Sequence, residues 1–226
     1  MKIFKGIIFI YFILLNTNLM AQDSISYLAL GDSYTIGEAV DNDKTWSSVL
    51  SQKLNQKGVE VQLDKIVATT GWTTNELLSA INNDKDLENA KYDLVSLLIG
   101  VNNQYRGYGI EQYKEEFELL LKKAIDLAGK RVNKVFVVSI PDYGVTPFAK
   151  ENNKNDALIA KELDEYNKIA KNISDKYGVK FFDITPISLK AIWDGEMIAK
   201  DKLHPSAKMY AEWADYLAPG IYQLLK

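Results

Sequence analysis

Short apolar segments alternate along the chain with longer segments in which apolar residues recur at every third or fourth position. The short segments are rich in β-branched residues, which predicts strands over residues 25–30, 59–67, 94–99, 135–140 and 179–184. Several of them are apolar at nearly every position, which is typical of parallel strands covered by helices on both faces. The longer segments are predicted as amphipathic helices over residues 46–56, 74–82, 110–127, 156–177 and 206–225.

The regular order of these segments defines the fold class. Five alternations of strand and helix predict an α/β fold with one parallel sheet and helices on both faces. Gly129 and Gly178 follow the third and fourth helices, at the position where glycine commonly ends a helix. No repeat, low-complexity stretch or linker interrupts the pattern, so we predict a single domain over residues 22–226.

The first 21 residues have the features of a secretory signal peptide. Lys2 and Lys5 form a positive start, residues 7–15 are all apolar, and Ala21 offers a small residue at a cleavage point. A membrane-spanning helix needs about 20 apolar residues, so this run is too short for a stable membrane anchor. We therefore predict that residues 1–21 are removed and that the mature protein is exported, either to a periplasm or to the medium.

The charge and the rare residues of the chain narrow the classes of function. The formal net charge is −3 and no basic stretch occurs, which argues against nucleic acid as a partner. Cysteine is absent, which excludes disulfides, a cysteine nucleophile and thiolate ligands to a metal. The chain has a single histidine, which excludes multi-histidine metal sites. We therefore expect no metal centre.

Polar and glycine-rich sequences follow the predicted strands. They are GDSY at 31–34, TGWT at 70–73, GVNN at 100–103, PDYG at 141–144 and, at the end of a longer loop, DKLHP at 201–205. In an open parallel sheet, ligands bind beyond the carboxyl ends of the strands. We therefore expect these segments to meet at one edge of the sheet and to form the functional site.

Residues of these loops fit the chemistry of nucleophilic catalysis by serine. Ser33 is a candidate nucleophile, His204 is the one imidazole available as its base, and Asp201 lies three residues earlier, where a carboxylate can orient the ring. The backbone N–H groups of Ser33 and Gly71 and the side-chain amide of Asn102 are candidate donors to an oxyanion. Each feature alone has a simpler explanation as a turn, a helix cap or a structural histidine. Their convergence at one edge of the sheet is what points to an enzyme.

The same segments resemble the sequence blocks of the SGNH hydrolases, also called GDSL-type hydrolases. Gly-Asp-Ser at 31–33, Gly71, Gly100-x-Asn102 and Asp201-x-x-His204-Pro205 are similar to four of these blocks and occur in the same order. The resemblance implies a three-layer α/β/α sandwich of the flavodoxin-like type with five parallel strands. It also implies hydrolysis of carboxylic esters through an acyl-serine intermediate, without a cofactor or a metal.

One position departs from the pattern of the family. The third block often has an acid after the asparagine, whereas this chain has Asn103. The candidate oxyanion donor Asn102 is retained, so we expect catalysis to survive, while the loop hydrogen bonds made by the usual acid are placed in doubt. The α/β-hydrolase fold fits less well, because no Gly-x-Ser-x-Gly sequence occurs.

Aromatic residues and one arginine in or near the loops are candidate substrate contacts. They are Tyr34, Trp72, Tyr105, Arg106, Tyr143 and Trp193, with Tyr108 and Phe148 as further loop aromatics. The rings either form a pocket wall for a sugar ring or an acyl chain, or pack the loops onto the sheet. Arg106 is a candidate partner for an anionic substrate group or for a nearby surface carboxylate. The short connecting loops leave little material for a lid, which favours short acyl chains.

These features together predict an exported serine esterase or acylhydrolase. Its expected partner is a small ester, such as an acylated glycan, a lysophospholipid or a simple short-chain ester. Two alternatives stay open: a non-catalytic glycan- or lipid-binding module on the same fold, and an acyltransferase that uses the same acyl-serine intermediate. We expect a monomer or a weak homo-oligomer.

Overall fold

Five parallel strands form the centre of the structure. The computed structural model describes residues 24–226, so the predicted signal peptide at 1–21 lies outside the described residues. The strands are β1 (Ile25–Gly31), β2 (Val61–Ala68), β3 (Leu94–Leu98), β4 (Val135–Val138) and β5 (Lys180–Phe182). Every pairing between them is parallel, and their order in the sheet is β2-β1-β3-β4-β5. The predicted five-stranded parallel sheet is confirmed.

The carboxyl ends of β1 and β3 lie side by side where the strand order reverses. Gly31, the last residue of β1, is in register with Leu98, the last residue of β3. From β1 the chain moves outward to β2 on one side, and from β3 it moves outward to β4 and β5 on the other side. Loops that leave neighbouring strands in opposite directions open a crevice between them. The segments that contain Ser33 and Asn102 begin at this crevice.

Long helices connect the strands. They are α2 (Trp46–Gln56), α3 (Thr74–Asn83), α5 (Ile110–Leu127), α7 (Asp156–Tyr177) and α9 (Ala207–Leu225), in agreement with the predicted ranges to within one residue at each end. Gly178 ends α7 and Gly129 follows α5, both with a positive φ, as the sequence predicted. Within residues 24–226, no helix combines the length and the apolar character that a membrane span requires.

Short helices follow four of the strands directly or after a few residues. They are α1 (Ser33–Ile36), α4 (Val101–Tyr105), α6 (Pro147–Glu151) and α8 (Thr185–Ser188). Each has only four or five residues, little more than one helical turn of about 3.6 residues, so no repeating pattern marks it in the sequence. The hydrophobic pattern therefore did not predict these helices as elements.

The connections place helices on both faces of the sheet. Helices α2 and α9 pack against each other, whereas α3 packs against α5 and α5 packs against α7. Crossovers between parallel strands are right-handed, and the chain moves in opposite directions after β1 and after β3. Helices α2 and α5, which make these two crossovers, therefore cover opposite faces. The strand order and the two helix layers are those of a flavodoxin-like α/β fold.

The buried core extends up to the edge where the crevice lies. All five residues of β3 are buried, as are Trp46 of α2 and Trp213 of α9. The Trp213 ring packs edge-on against Tyr34 with 6.4 Å between the ring centroids. The Trp46 indole N–H donates to the backbone carbonyl of Tyr34 over 3.1 Å. Two helices from one layer therefore hold the residue that follows Ser33.

Candidate active site

A tight turn at the end of β1 presents Ser33. Asp32 caps α1 by accepting a hydrogen bond from the backbone N–H of Tyr34 over 3.1 Å, and Ser33 is the first residue of that helix. The turn requires glycine at position 31, because a Cβ there would collide with the Thr35 hydroxyl and the Leu98 carbonyl. The close approach of β1 to β3 thus fixes the place of Ser33 at the crevice.

The Asp201 carboxylate holds the His204 ring with one oxygen and the backbone with the other. Its Oδ2 lies 2.6 Å from Nδ1 of His204, and its Oδ1 accepts hydrogen bonds from the backbone N–H groups of Leu203 and His204 over 3.0 Å each. Partial burial of the carboxyl works to raise the pKa of Asp201, but these hydrogen bonds outweigh it and lower the pKa. The carboxylate is therefore ionised at neutral pH, and Nε2 is the ring nitrogen left for chemistry.

Ser33 and His204 line the same small pocket, which has a volume of about 180 Å³. The rest of its wall comes from the loops after β1, β3 and β4 and from the His204 loop: Tyr34, Val101, Asn102, Tyr105, Tyr143, Phe148 and Leu203. Ser33 and His204, far apart in the sequence, thus share one pocket at the crevice, as the sequence predicted. No hydrogen bond joins the Ser33 hydroxyl to the ring in the described part of the chain, and such bonds often tighten only when substrate is present.

A second, larger groove lies away from this pocket. It has a volume of about 260 Å³, is lined by residues of α7 and of the segment after β5, and contains neither Ser33 nor His204. Among residues 24–226, no cluster of three or more His, Asp or Glu side chains is placed to hold a metal ion.

Asn102 projects into the pocket from the start of α4. Gly100 precedes this helix with φ of +127°, and a Cβ at that position would lie 2.6 Å from the ring of Tyr113. One N–H of the Asn102 amide donates to the Trp72 carbonyl over 2.9 Å. This bond fixes the direction of the amide, and its second N–H is left as a donor.

Gly71 lies in the turn before α3, with φ of +87°, a conformation that favours glycine. It is not one of the residues that line the pocket, although the Asn102 amide is bonded to the next residue of the same turn. Its carbonyl accepts a hydrogen bond from the Arg106 guanidinium over 2.5 Å. Its backbone N–H makes no hydrogen bond within residues 24–226. Gly71 thus has an unused donor, in a turn that is bonded to Asn102 of the pocket.

Asn103, which departs from the family pattern, makes two hydrogen bonds to the start of α3. Its side chain is fully buried. Its Oδ1 accepts from the backbone N–H of Thr74 over 3.0 Å, and its Nδ2 donates to the Thr74 hydroxyl over 2.7 Å. The loop after β3 is therefore bonded to the start of α3 by an amide in place of an acid.

The structure separates the candidate substrate residues into two groups. Tyr34, Tyr105 and Tyr143 line the pocket, whereas Trp72 does not and Trp193 is 72% exposed outside it. Arg106 is paired with the surface carboxylate of Glu76, at 3.3 Å.

Two further residues of the pocket wall, Val101 and Leu203, were not predicted from the sequence. Each directly precedes a predicted site residue, so adjacency in the chain was the available signal.

Tyr143 is a rigid, uncharged part of the wall. Its hydroxyl donates to Gln104 over 3.0 Å, and Gln104 in turn donates to Glu162 of α7 over 2.6 Å. Burial raises the pKa of Tyr143 to about 12, so the ring stays neutral at physiological pH. Tyr105 packs edge-on against it with 6.0 Å between the centroids. One side of the pocket is thus an aromatic surface held in place by hydrogen bonds behind it.

Asp32, next to Ser33, is fully buried, and this burial raises its pKa to about 7 despite the hydrogen bond from the backbone N–H of Tyr34, which lowers it. We expect Asp32→Asn to leave the free energy of unfolding unchanged at pH 3 and to increase it at pH 8. The unfolded carboxyl loses its proton near pH 4 and the folded one near pH 7, so ionisation destabilises the wild type progressively between these values, by on the order of 4 kcal/mol.

Urea unfolding of both proteins at pH 3, 5 and 8 measures this difference. The other carboxyl groups are the same in both proteins, so their contributions cancel in the difference between the two free energies of unfolding. A difference between wild type and variant that does not grow with pH would contradict the expected protonation of Asp32.

Known proteins share both sequence and fold with this chain. Residues 29–212 match the model of the GDSL-like lipase/acylhydrolase family. An acetylxylan esterase from Geobacillus stearothermophilus is 28% identical over 132 residues. The aligned region covers 54% of this chain and 56% of that protein, so the chain spans about half the length of this curated relative.

Two solved structures illustrate the similarity of the fold. The lipase Lip_vut3 from a goat rumen metagenome has a TM-score of 0.70 at 20% identity, covering 90% of this chain and 100% of that one. The psychrotrophic esterase EstA from Pseudoalteromonas sp., in a structure inhibited by monoethylphosphonate, has a TM-score of 0.67 at 18% identity, covering 89% and 99%. Because the family model matches most of the chain and the fold agrees, this protein belongs to the GDSL-like lipase/acylhydrolase family.

Proposed function

We propose that this protein is a serine hydrolase of carboxylic esters, with Ser33 as nucleophile, His204 as general base and Asp201 as the group that orients the base. The observation that carries the proposal is the bond of Asp201 to Nδ1 of His204, on a ring that shares a small pocket with Ser33. This bond selects the tautomer with the proton on Nδ1, which leaves Nε2 able to accept the proton of the serine.

The reaction follows from these placements. The Ser33 oxygen attacks the ester carbonyl while Nε2 of His204 accepts its proton, which forms a tetrahedral oxyanion. The protonated His204 then gives this proton to the leaving alcohol, and an acyl-serine remains. Water, deprotonated by His204, attacks the acyl-serine and releases the free acid and Ser33.

Three N–H groups in the segments around Ser33 are candidate donors to this oxyanion. The Ser33 N–H is at the first position of α1, where no intrahelical partner exists. The Gly71 N–H is without a partner in the described residues, and the second N–H of the Asn102 amide is left beside its bond to Trp72. We propose that these groups form the oxyanion hole, the arrangement that stabilises the charge of the tetrahedral intermediate.

We further propose that the substrates are short-chain acyl esters, acetylated glycans among them. The pocket volume of about 180 Å³ is small beside the roughly 300–1,000 Å³ typical of ligand sites. Tyr105, Tyr143 and Phe148 bound it on the side of the loops after β3 and β4. The name of the acetylxylan esterase relative supports acetyl esters of a glycan as a substrate class for this chain.

The proposal is tested with p-nitrophenyl esters of graded chain length and with acetylated xylan, together with a fluorophosphonate probe that labels activated serines. We expect turnover of the acetate and butyrate esters and labelling at Ser33. Absence of both turnover and labelling would leave the non-catalytic binding module as the better description. Analysis of products in the presence of excess alcohol separates hydrolysis, which gives free acid, from acyl transfer, which gives a new ester.

Phe148→Ala is expected to shift the preference towards longer acyl chains. Phe148 is only partly buried and lines the pocket, so its removal opens space next to Leu203. Contact with two further methylene groups is worth about 1.6 kcal/mol, so kcat/KM for the octanoate ester relative to the acetate ester should rise roughly tenfold. Leu119→Ala, at a half-exposed position on α5, is the matched control and should leave this ratio unchanged.

Export of the mature protein is also proposed, on the sequence of residues 1–21 alone. The support is the two lysines, the apolar run at 7–15 and the small residue Ala21. Expression of the full chain in a bacterial host, followed by cell fractionation and N-terminal sequencing, tests this proposal. We expect a mature N-terminus at Gln22 outside the cytoplasm.

A further inference from the structure

We infer that Arg106 is a positioning residue for the oxyanion hole, which it keeps assembled by clamping the turn that contains Gly71 onto the helix that contains Asn102. This inference rests on the proposed esterase function. It also gives Arg106 a role different from the contact with an anionic substrate group considered from the sequence.

Two side chains, one on α4 and one on the residue that follows it, hold two successive carbonyl groups of the same turn. The Arg106 guanidinium donates through Nη2 to the Gly71 carbonyl over 2.5 Å. The Asn102 amide donates to the next carbonyl, that of Trp72, over 2.9 Å. Arg106 directly follows α4, and its backbone N–H donates to the Asn102 carbonyl over 3.0 Å. The anchor points of the two donors are therefore fixed relative to each other.

The guanidinium is held from behind by a carboxylate that also organises the start of α3. Its Nη1 lies 3.3 Å from Oε1 of Glu76. The other carboxylate oxygen of Glu76 accepts from the backbone N–H and the hydroxyl of Thr73 over 2.8 and 3.1 Å, which completes a capping box. The turn is thus bonded to α4 at its middle and to α3 at its end.

This clamp acts on the one oxyanion donor that has the most freedom to turn away. Glycine explores far more of backbone conformational space than other residues, and Gly71 is held at φ of +87°. The Gly71 carbonyl and N–H lie on either side of its two rotatable bonds, and the Trp72 N–H closes the turn by donating to the Thr69 carbonyl over 3.2 Å. Holding the carbonyl within this closed turn limits rotation about both bonds and so limits the direction of the Gly71 N–H. Removal of one oxyanion donor typically lowers kcat by about 10²–10³-fold. Loosening a donor that is still present should cost less.

The clamp contributes little to the stability of the fold. Both partners of the Arg106–Glu76 ion pair are well exposed, and exposed pairs of this kind stabilise a protein only slightly. Loss of the Arg106 side chain is therefore expected to change the reaction rate much more than the melting temperature. That difference distinguishes a positioning role from a merely structural one.

The test compares Arg106→Ala with Arg131→Ala. Arg131 is a matched control, because its guanidinium also bridges a backbone carbonyl, that of Tyr92 at 2.8 Å, and a carboxylate, that of Asp93 at 3.2 Å. Arg131 lies before β4, at the amino-terminal edge of the sheet, and does not line the pocket. With p-nitrophenyl butyrate, we expect Arg106→Ala to lower kcat by about 10–100-fold with little change in KM. Arg106→Lys, which keeps the charge on a single donor nitrogen, should recover part of the loss, and Arg131→Ala should match wild type.

Three results would overturn the inference. The first is a kcat for Arg106→Ala within twofold of wild type. The second is an increase in KM with unchanged kcat, which would make Arg106 a substrate contact. The third is an equal decrease of kcat in Arg131→Ala. In each of these cases the wild type is active, so the proposed function stands. A wild-type protein that neither hydrolyses esters nor reacts with a fluorophosphonate overturns the proposed function, and this inference with it.

Discussion

Replacing Ser33 by alanine is expected to lower kcat/KM for p-nitrophenyl butyrate by roughly 10⁴–10⁶-fold, because removal of the nucleophile of a serine–histidine pair abolishes the covalent route. The Ser33 hydroxyl makes no side-chain hydrogen bond within residues 24–226, and the residue is held by its neighbours at the end of β1, so the fold should be retained. The measurement is the initial rate of ester hydrolysis under pseudo-first-order conditions. A melting curve for each protein checks that the fold is retained.

Ser174→Ala serves as the matched control for this change. Its hydroxyl is buried in α7 and donates to the Ala170 carbonyl over 2.7 Å, remote from the pocket. We expect this variant to keep wild-type activity with a slightly lower melting temperature. If Ser33→Ala hydrolyses the ester as fast as wild type, Ser33 is not the nucleophile. If ligand binding persists without any wild-type turnover, the protein is a binding module.

Asp201→Asn is expected to lower kcat by about 10³–10⁴-fold while the loop keeps its shape. The amide oxygen of the variant can still accept hydrogen bonds from the backbone N–H groups of Leu203 and His204, as Oδ1 of Asp201 does in the wild type. The amide NH₂ must then face Nδ1 of His204, where Oδ2 lies at 2.6 Å in the wild type. A donor at this place forces the ring proton onto Nε2, so that the ring can no longer accept the proton of Ser33.

The matched control for this substitution is Asp84→Asn. Asp84 also uses one oxygen for a backbone N–H, that of Asp86 at 3.0 Å, and the other for a basic group, Lys65 at 2.7 Å. It lies at the end of α3, away from the pocket, and its substitution should leave kcat unchanged. Full activity of Asp201→Asn would mean that His204 is oriented by another group or is not the base.

The long elements of this fold could be predicted from the sequence because each repeats a pattern many times. Helix α5 shows apolar residues at helical spacing over five turns, and β3 is apolar at every position except Ser96, so the hydrophobic pattern identified both. The four short helices were missed because a segment such as α6 is hardly longer than one turn. Their formation depends on caps and on contacts with neighbouring loops.

The position of the site could also be predicted, but its exact wall could not. Ser33, Asn102 and His204 share the pocket because polar segments after parallel strands meet at one edge of the sheet. Which loop aromatics face the pocket depends on side-chain direction in irregular backbone, for which the sequence has no period. Tyr143 points inward on its bond to Gln104, while Trp193 points to solvent. The clamp at Arg106 likewise depends on a contact between residues 35 positions apart.

The packing of α9 against α2 has a consequence for how hydrolytic ability arises during folding. The His204 loop leads into α9 through its cap Ser206, and Trp213 of that helix packs against Tyr34, the residue after the proposed nucleophile Ser33. A chain whose last helix is still undocked therefore contains the serine but has no imidazole beside it. Recovery of ester cleavage on refolding should therefore require the docking of α9, even in a chain whose sheet has already formed.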